Sequence, residues 1–327
     1  MGNKATQPRS FNTIRRSQTK VRAQRRKTQR IVLLAMFATV ALILVSLLAL
    51  GGFAIVNAII DARPPQNNDD NPPTPVNDVV FIQATKTADD IHTGQLVLVN
   101  SENRYTFPAV QMISIYDNMS KSQSGSIIYS PVNKEFKLQS DAFAALDAMM
   151  VKNYEVNEDV IRIADAYRTM EDQEGRDILP GYSDHHTGYC VAIRYYDGVH
   201  IESTHWIYQN CHKYGFIVRY PEHKSDITGV SGYTYCLRYV GVAHATYMYE
   251  NDLCMEEYVE LLKNHYNSSA LRLSITTADG IAYEVYYTPA SGQELTTLDV
   301  PSNYNYTVSG DNRSGFIVTV KKAAPAA

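Results

Sequence analysis

Residues 31–60, IVLLAMFATVALILVSLLALGGFAIVNAII, run for thirty positions without a charged side chain. Roughly 20 residues rising 1.5 Å each cross the hydrocarbon core of a bilayer, and this run has no polar stripe such as a buried soluble helix would show. A secretory leader has an apolar stretch of only about 7–15 residues. Ten Lys and Arg with no acid precede the run within residues 1–30, and Asp61 follows it. The positive-inside rule then predicts a cytoplasmic basic tail over 1–30 and a single transmembrane helix over 31–60, with the rest of the chain outside. The charge of the tail suits anionic lipid head groups, and no nucleic-acid partner is expected.

The whole chain carries −4, so the part beyond the basic tail is acidic. Residues 61–78, DARPPQNNDDNPPTPVND, hold too little apolar surface to pack and enough proline to stay extended, which predicts a stiff linker. Beyond it, helical and extended patterns alternate in an α+β order. QLVLVN reads as the clearest early strand. LQSDAFAALDAMMVKNYEV places Phe143, Leu146, Met149 and Met150 at helical spacing. STHWIYQNCHKYG reads as a helix ended by Gly215. GFIVRYP and LRYVG read as strands, and NDLCMEEYVELLKNHY as an amphipathic helix capped by Asp252. Residues 267–327 change character, with hairpins predicted through Asp279-Gly280 and through the turn near Asn312, and form a small all-β appendage. The four cysteines, Cys190, Cys211, Cys236 and Cys254, all fall in the outer part, where disulfides persist.

Four fragments in one order carry the functional signal: AYRTMEDQ, PGYSDHHTGYCVAI, HKYGFIVRYPEHK and ITGVSGYTYCLRYVG. Together they resemble the zinc D-alanyl-D-alanine carboxypeptidases of the VanY type, over residues 79–266. The resemblance implies a small α+β domain with a central antiparallel sheet flanked by helices. It also implies peptidoglycan stem peptides as partners and a bacterial cell envelope, the Gram-positive case fitting best, with the domain facing the wall. Other protein partners are unknown.

The family's first zinc motif is Ser-x-His-x-x-Gly-x-x-x-Asp, matched here by Ser183, His185 and Gly188, with Ala192 at the Asp ligand position. Its second is Glu-x-Trp-His, then an aromatic residue, Arg and Tyr. Tyr233 stands at the catalytic Glu, Cys236 at the ligand His, and Arg238 and Tyr239 follow. By resemblance Arg168, Gln173, Ser183 and Arg238 face the substrate. His185 is then a remnant ligand, and the expected protein is a catalytically inactive carboxypeptidase homologue that binds stem peptides; an active zinc carboxypeptidase with Cys2His ligands and a structural or regulatory cell-surface protein are the alternatives.

Cys190 lies two residues before Ala192, hence on the same face of a strand, and Cys236 occupies the ligand position. A disulfide between them is the expectation, with Cys211 and Cys254 as a second candidate pair. Two packed thiols, or a zinc set of both cysteines with His185, remain open. No cofactor is expected unless Cys190 and Cys236 act as zinc ligands. His186 is read as a surface or substrate-facing side chain.

Overall fold

A computed structural model describes residues 79–322. The expected cytoplasmic tail, transmembrane helix and linker lie outside the described residues. Among those described, no helix is long and apolar enough to cross a membrane.

Two-residue alternation builds the central sheet. Its strands are β3 (Tyr129–Pro131), β5 (Ile161–Asp165), β6 (Cys190–Tyr195), β7 (Phe216–Val218) and β8 (Cys236–Tyr239), in the order β3-β5-β6-β8-β7, while β2 (Met112–Ser114) and β4 (Lys137–Gln139) form a separate antiparallel pair. The pair β3–β5 is parallel and the others antiparallel, so the sheet is mixed rather than wholly antiparallel. One face sends Ile161, Ile163, Val191, Ile193 and Leu237 into a core with Phe143, Leu146, Met149 and Met150 of helix α1 (Ser140–Asn157). Full burial of one such side chain contributes about 1.5–3 kcal/mol. The other face presents Asp165, Cys190, Ala192 and Cys236, and it is here that the functional residues gather.

The segment QLVLVN does not join a ladder, contrary to its pattern. Leu96, Val97, Leu98 and Val99 are buried, yet their backbone groups are satisfied mainly by side chains. Arg238 donates to the carbonyls of Gln95 (2.9 Å) and Val97 (3.1 Å), Arg219 to that of Val99 (3.2 Å), and Ser309 Oγ accepts from Leu96 N (2.9 Å). Alternation alone cannot distinguish a strand paired to a strand from one paired to arginines.

Helix α2 (Val242–Glu250) and helix α3 (Met255–His265) follow. Met255, Tyr258, Val259 and Leu262 repeat at i, i+3, i+4 and i+7 and face the core. The helix cap is Cys254, whose N–H donates to Glu257 (2.9 Å), and not Asp252, which lies at φ 50° in the preceding turn.

After Tyr266 a four-stranded sheet forms in the order β12 (Asn305–Gly310), β13 (Gly315–Lys321), β10 (Ala282–Pro289), β9 (Leu273–Thr276). Both expected hairpins are present, β9–β10 and β12–β13. These strands are not self-contained. The first described strand, β1 (Phe81–Thr87), pairs with β11 (Leu295–Pro301), and one core joins Leu96 and Leu98 to α3 and to Val285, Tyr287 and Ile317.

His244 of α2 lies in that joint, with Nδ1 2.7 Å from the Tyr258 hydroxyl and Nε2 2.9 Å from Thr319 Oγ1. Burial pushes its pKa down to about 3. In the unfolded chain it titrates near 6.5. The folded state therefore gains stability that is complete above pH 6.5 and is lost as pH falls toward 3. Between pH 6.5 and 4.5 this one group should cost about 2–3 kcal/mol. Urea unfolding of the full chain is expected to show that loss, and His244→Gln to show a flatter pH profile. An unchanged slope in the variant would remove the assignment.

Candidate active site

The motif SDHHTG forms a 3-10 turn, Asp184–Thr187, closed by a bond from Thr187 Oγ1 to the Asp184 carbonyl (2.7 Å). Gly188 ends it at φ 72°, where a Cβ would meet the Met112 side chain, and so delivers the chain into β6. The turn buries both histidines with different partners. His185 Nδ1 is 2.6 Å from the Ala166 carbonyl, so Nδ1 carries the proton and the Nε2 lone pair points inward. There it meets Cys236 Sγ at 3.9 Å. His186 is fully buried, not surface or substrate-facing. Its Nδ1 donates to the Arg168 carbonyl (2.8 Å) and its Nε2 accepts from Gly181 N–H (3.0 Å). Both ring nitrogens are engaged, and burial lowers its pKa, so it serves as a neutral clasp behind Arg168.

His185, Cys190 and Cys236 converge, with their donor atoms all within 4.8 Å of one another and all three residues buried. Among the described residues no other three His, Cys, Asp or Glu do so. The expected disulfides are not formed, and all four cysteines are free thiols. The register gives the reason for the first pair. Ala192, not Cys190, lies opposite Cys236, while Cys190 pairs with Arg238. The cysteines are therefore diagonal neighbours, about 7–8 Å apart at Cα, beyond the usual reach of a disulfide. Cys211 points instead at the Tyr208 carbonyl (3.8 Å), and Cys254 caps α3.

The zinc that the family motif implies can be tested against this geometry. The motif's own ligand set does not fit, because Ala192 offers no donor. The set His185, Cys190 and Cys236 does fit. Two thiols and one imidazole are an accepted zinc donor set, and two sulfurs held at about 2.3 Å from one zinc are at most about 4.6 Å apart. The bond from His185 to the Ala166 carbonyl is the outer support that orients a ligating imidazole. Burial, with Cys236 beside it, pushes the Cys190 thiol well up, so without a cation it keeps its proton.

A pocket opens over this floor, lined by His185, Ala192 and Cys236. Arg168 and Gln173 stand on its wall, brought together by a bond from Nη1 to Oε1 (2.8 Å). Arg168 also pairs with Asp165 through Nε (3.1 Å) and Nη2, and Arg176 joins the same carboxylate at 3.3 Å. Burial alone would raise the Asp165 pKa, but Arg168, His185 and Arg176 together hold it below the ordinary carboxylate range. Asp165 is the register partner of Ala192, so a carboxylate is missing from one strand and present on the next, where arginines engage it.

Tyr233 lines the pocket and donates to Asp177 Oδ2 (2.6 Å). That bond, with burial, pushes its pKa up to about 12. At neutral pH it is a phenol and takes no proton.

Ser183 and Arg238 do not line the pocket. Ser183 is fully buried with Oγ unpartnered, and Arg238 is fully buried beside the floor, against Asp184 and the carbonyls of Gln95 and Val97. Arg238 pairs with Asp184, which also takes Arg219, and Glu256 receives Arg219 at 2.8 and 3.0 Å. This buried quartet was not anticipated from sequence. Its signal was the arginine in each of two apolar strands, GFIVRYP and CLRYVG, which only a buried acid can accommodate. Asp165, Arg176, Asp177, Arg194 and Tyr235 of the pocket were also missed.

Fold and site together define a D,D-peptidase-like domain. The fold matches that of the vancomycin-resistance D,D-dipeptidase VanXYg, with TM-score 0.62 at 23% identity over 74% of this chain and 100% of that one. The chain belongs to the VanY family of D-alanyl-D-alanine carboxypeptidases, whose family model matches residues 153–242. A D-alanyl-D-alanine carboxypeptidase of Enterococcus faecium is 29% identical over 78% of this chain and 86% of its own length. The bifunctional D-Ala-D-Ala dipeptidase and carboxypeptidase VanXYC of Enterococcus gallinarum is 30% identical over 31% of this chain and 67% of its own.

Proposed function

We propose that this chain binds peptidoglycan stem peptides ending in D-Ala-D-Ala and does not hydrolyse them by the family's route. One observation carries the reading. The peptide-side residues Arg168 and Gln173 stand together on the wall, while the positions that should supply the Asp ligand and the carboxylate base hold Ala192 and a Tyr233 already bonded to Asp177. The relative VanXYg was determined with a D-Ala-D-Ala phosphinate analogue, which supports the choice of ligand.

His185, Cys190 and Cys236 would hold a zinc ion here. Bound there, zinc would polarise a peptide carbonyl as a Lewis acid. The rest falls to the chain. The Ala166 carbonyl fixes the His185 tautomer, His186 clasps the Arg168 backbone, and Gln173 braces the guanidinium that meets a peptide carboxylate. Activating a water needs a group that accepts its proton, and Tyr233 does not do so at neutral pH.

Titration of the full chain with a peptide ending in D-Ala-D-Ala should give saturable binding, at least tenfold tighter than for the L-Ala-L-Ala counterpart. Equal or absent affinity would end the proposal. A second reading, a working peptidase on the altered donor set, is favoured by the convergence of the three donors.

The proposal includes a membrane anchor at residues 31–60, with the domain outside, resting on the uncharged run and its basic flank. The protein should then stay with the membrane fraction through alkaline carbonate washing. Release into the wash would contradict it.

A further inference from the structure

Arg162 and Arg194 are register partners on β5 and β6. Both belong to the sheet face that carries Cys190, Ala192 and Asp165, and Arg194 lines the pocket. Like charges placed directly opposite in a sheet repel. Other arginines near the pocket have an acid: Arg168 and Arg176 share Asp165, and Arg219 and Arg238 share Asp184. Among the described residues, Arg162 and Arg194 have none. The Nε of each is buried without a hydrogen-bond partner.

Their contacts hold them in place without neutralising them. Arg162 lies 4.7 Å over the Tyr196 ring and donates to the Tyr196 carbonyl (3.3 Å). Arg194 lies 5.9 Å from the Tyr235 ring centroid. A cation lining the pocket, with a second directly opposite it on the next strand and no carboxylate from the described chain on either, makes an anion seat that the chain leaves to something else.

We infer that Arg194, with Arg162 beside it, binds a carboxylate of the peptide ligand. This rests on the reading that the pocket takes a peptide, and it adds a specificity determinant. Arg168 already spends three of its five N–H donors on Asp165 and Gln173. Arg194 lies four residues along β6 from Cys190, about 13 Å at a strand's rise. The carboxylate is either the C-terminal one or an acidic group upstream in the same peptide.

Calorimetry on the full chain separates these sources. Three peptides ending in D-Ala-D-Ala are compared: one with an upstream acidic residue and a free C-terminus, one with that acid amidated, and one with the C-terminus amidated. The wild type should lose about tenfold in affinity for one of the amidated peptides, and which one identifies the source. Arg194→Gln should bind the free acid about tenfold more weakly and no longer make that distinction. With one of two opposed charges removed, it should also melt no lower than the wild type. Discrimination that persists in both Arg194→Gln and Arg162→Gln would overturn this inference alone. No binding of any peptide by the wild type would remove the peptide-binding reading and this inference with it.

Discussion

Replacing Asp184 by Asn should destabilise the domain by about 3–5 kcal/mol, the range for breaking a buried ion pair by removing one partner. Asp184 is fully buried between Arg219 and Arg238, each with no exposed surface, and accepts from both. Asn keeps the shape but leaves Arg219 with Glu256 alone and removes the carboxylate that Arg238 pairs with. The loss should spread, because these arginines also bind the carbonyls of residues 95, 97 and 99. The extended segment 95–99 should therefore lose amide-exchange protection along with the sheet. Asp165→Asn should cost less, because Arg176 is exposed and Arg168, though buried, keeps its bond to Gln173 and borders the open pocket. Chemical denaturation of the two variants checks this. A cost under about 1 kcal/mol for Asp184→Asn would show that the quartet does not hold the segment.

The second large effect concerns the metal. The full chain should take up one zinc or cobalt ion, and the cobalt form should show the intense near-ultraviolet absorption of thiolate ligands. Cys190→Ser and Cys236→Ser should each weaken uptake by at least about 100-fold, beyond the 10–100-fold that loss of a ligand's outer partner costs. Cys211→Ser and Cys254→Ser should leave it unchanged, since both thiols lie outside the convergent set. Uptake that is indifferent to Cys190 would place the ion elsewhere. Absence of uptake would leave His185, Cys190 and Cys236 as packed side chains.

Much of the site could be read from the sequence because motifs are local. The run from Ser183 to Ala192 is one turn and one strand, so its spacing shows that Cys190 and Ala192 share a face, and the register bears this out. The amphipathic helix at 255–265 and the two late hairpins were legible for the same reason, since each is decided within a few residues. Effects that depend on cross-strand register were not. The two-residue offset that sets Ala192 rather than Cys190 against Cys236 turns a plausible disulfide into two thiols. Arg238 and Ser183 lie beside motif residues that reach the pocket but are themselves buried, and nothing local marks them. Pairing of β1 with β11 joins residues more than 200 apart, which no window of sequence reveals.

The most direct test combines binding and turnover in one sample. The full chain, supplied with zinc, is mixed with a stem peptide ending in D-Ala-D-Ala, and bound peptide and free D-alanine are measured together at neutral pH. Saturable binding with no D-alanine above the peptide-alone control is the expected result. D-alanine release that stops on chelation, and is absent in Cys236→Ser, would contradict it and make this chain a working carboxypeptidase on a sulfur-bound metal.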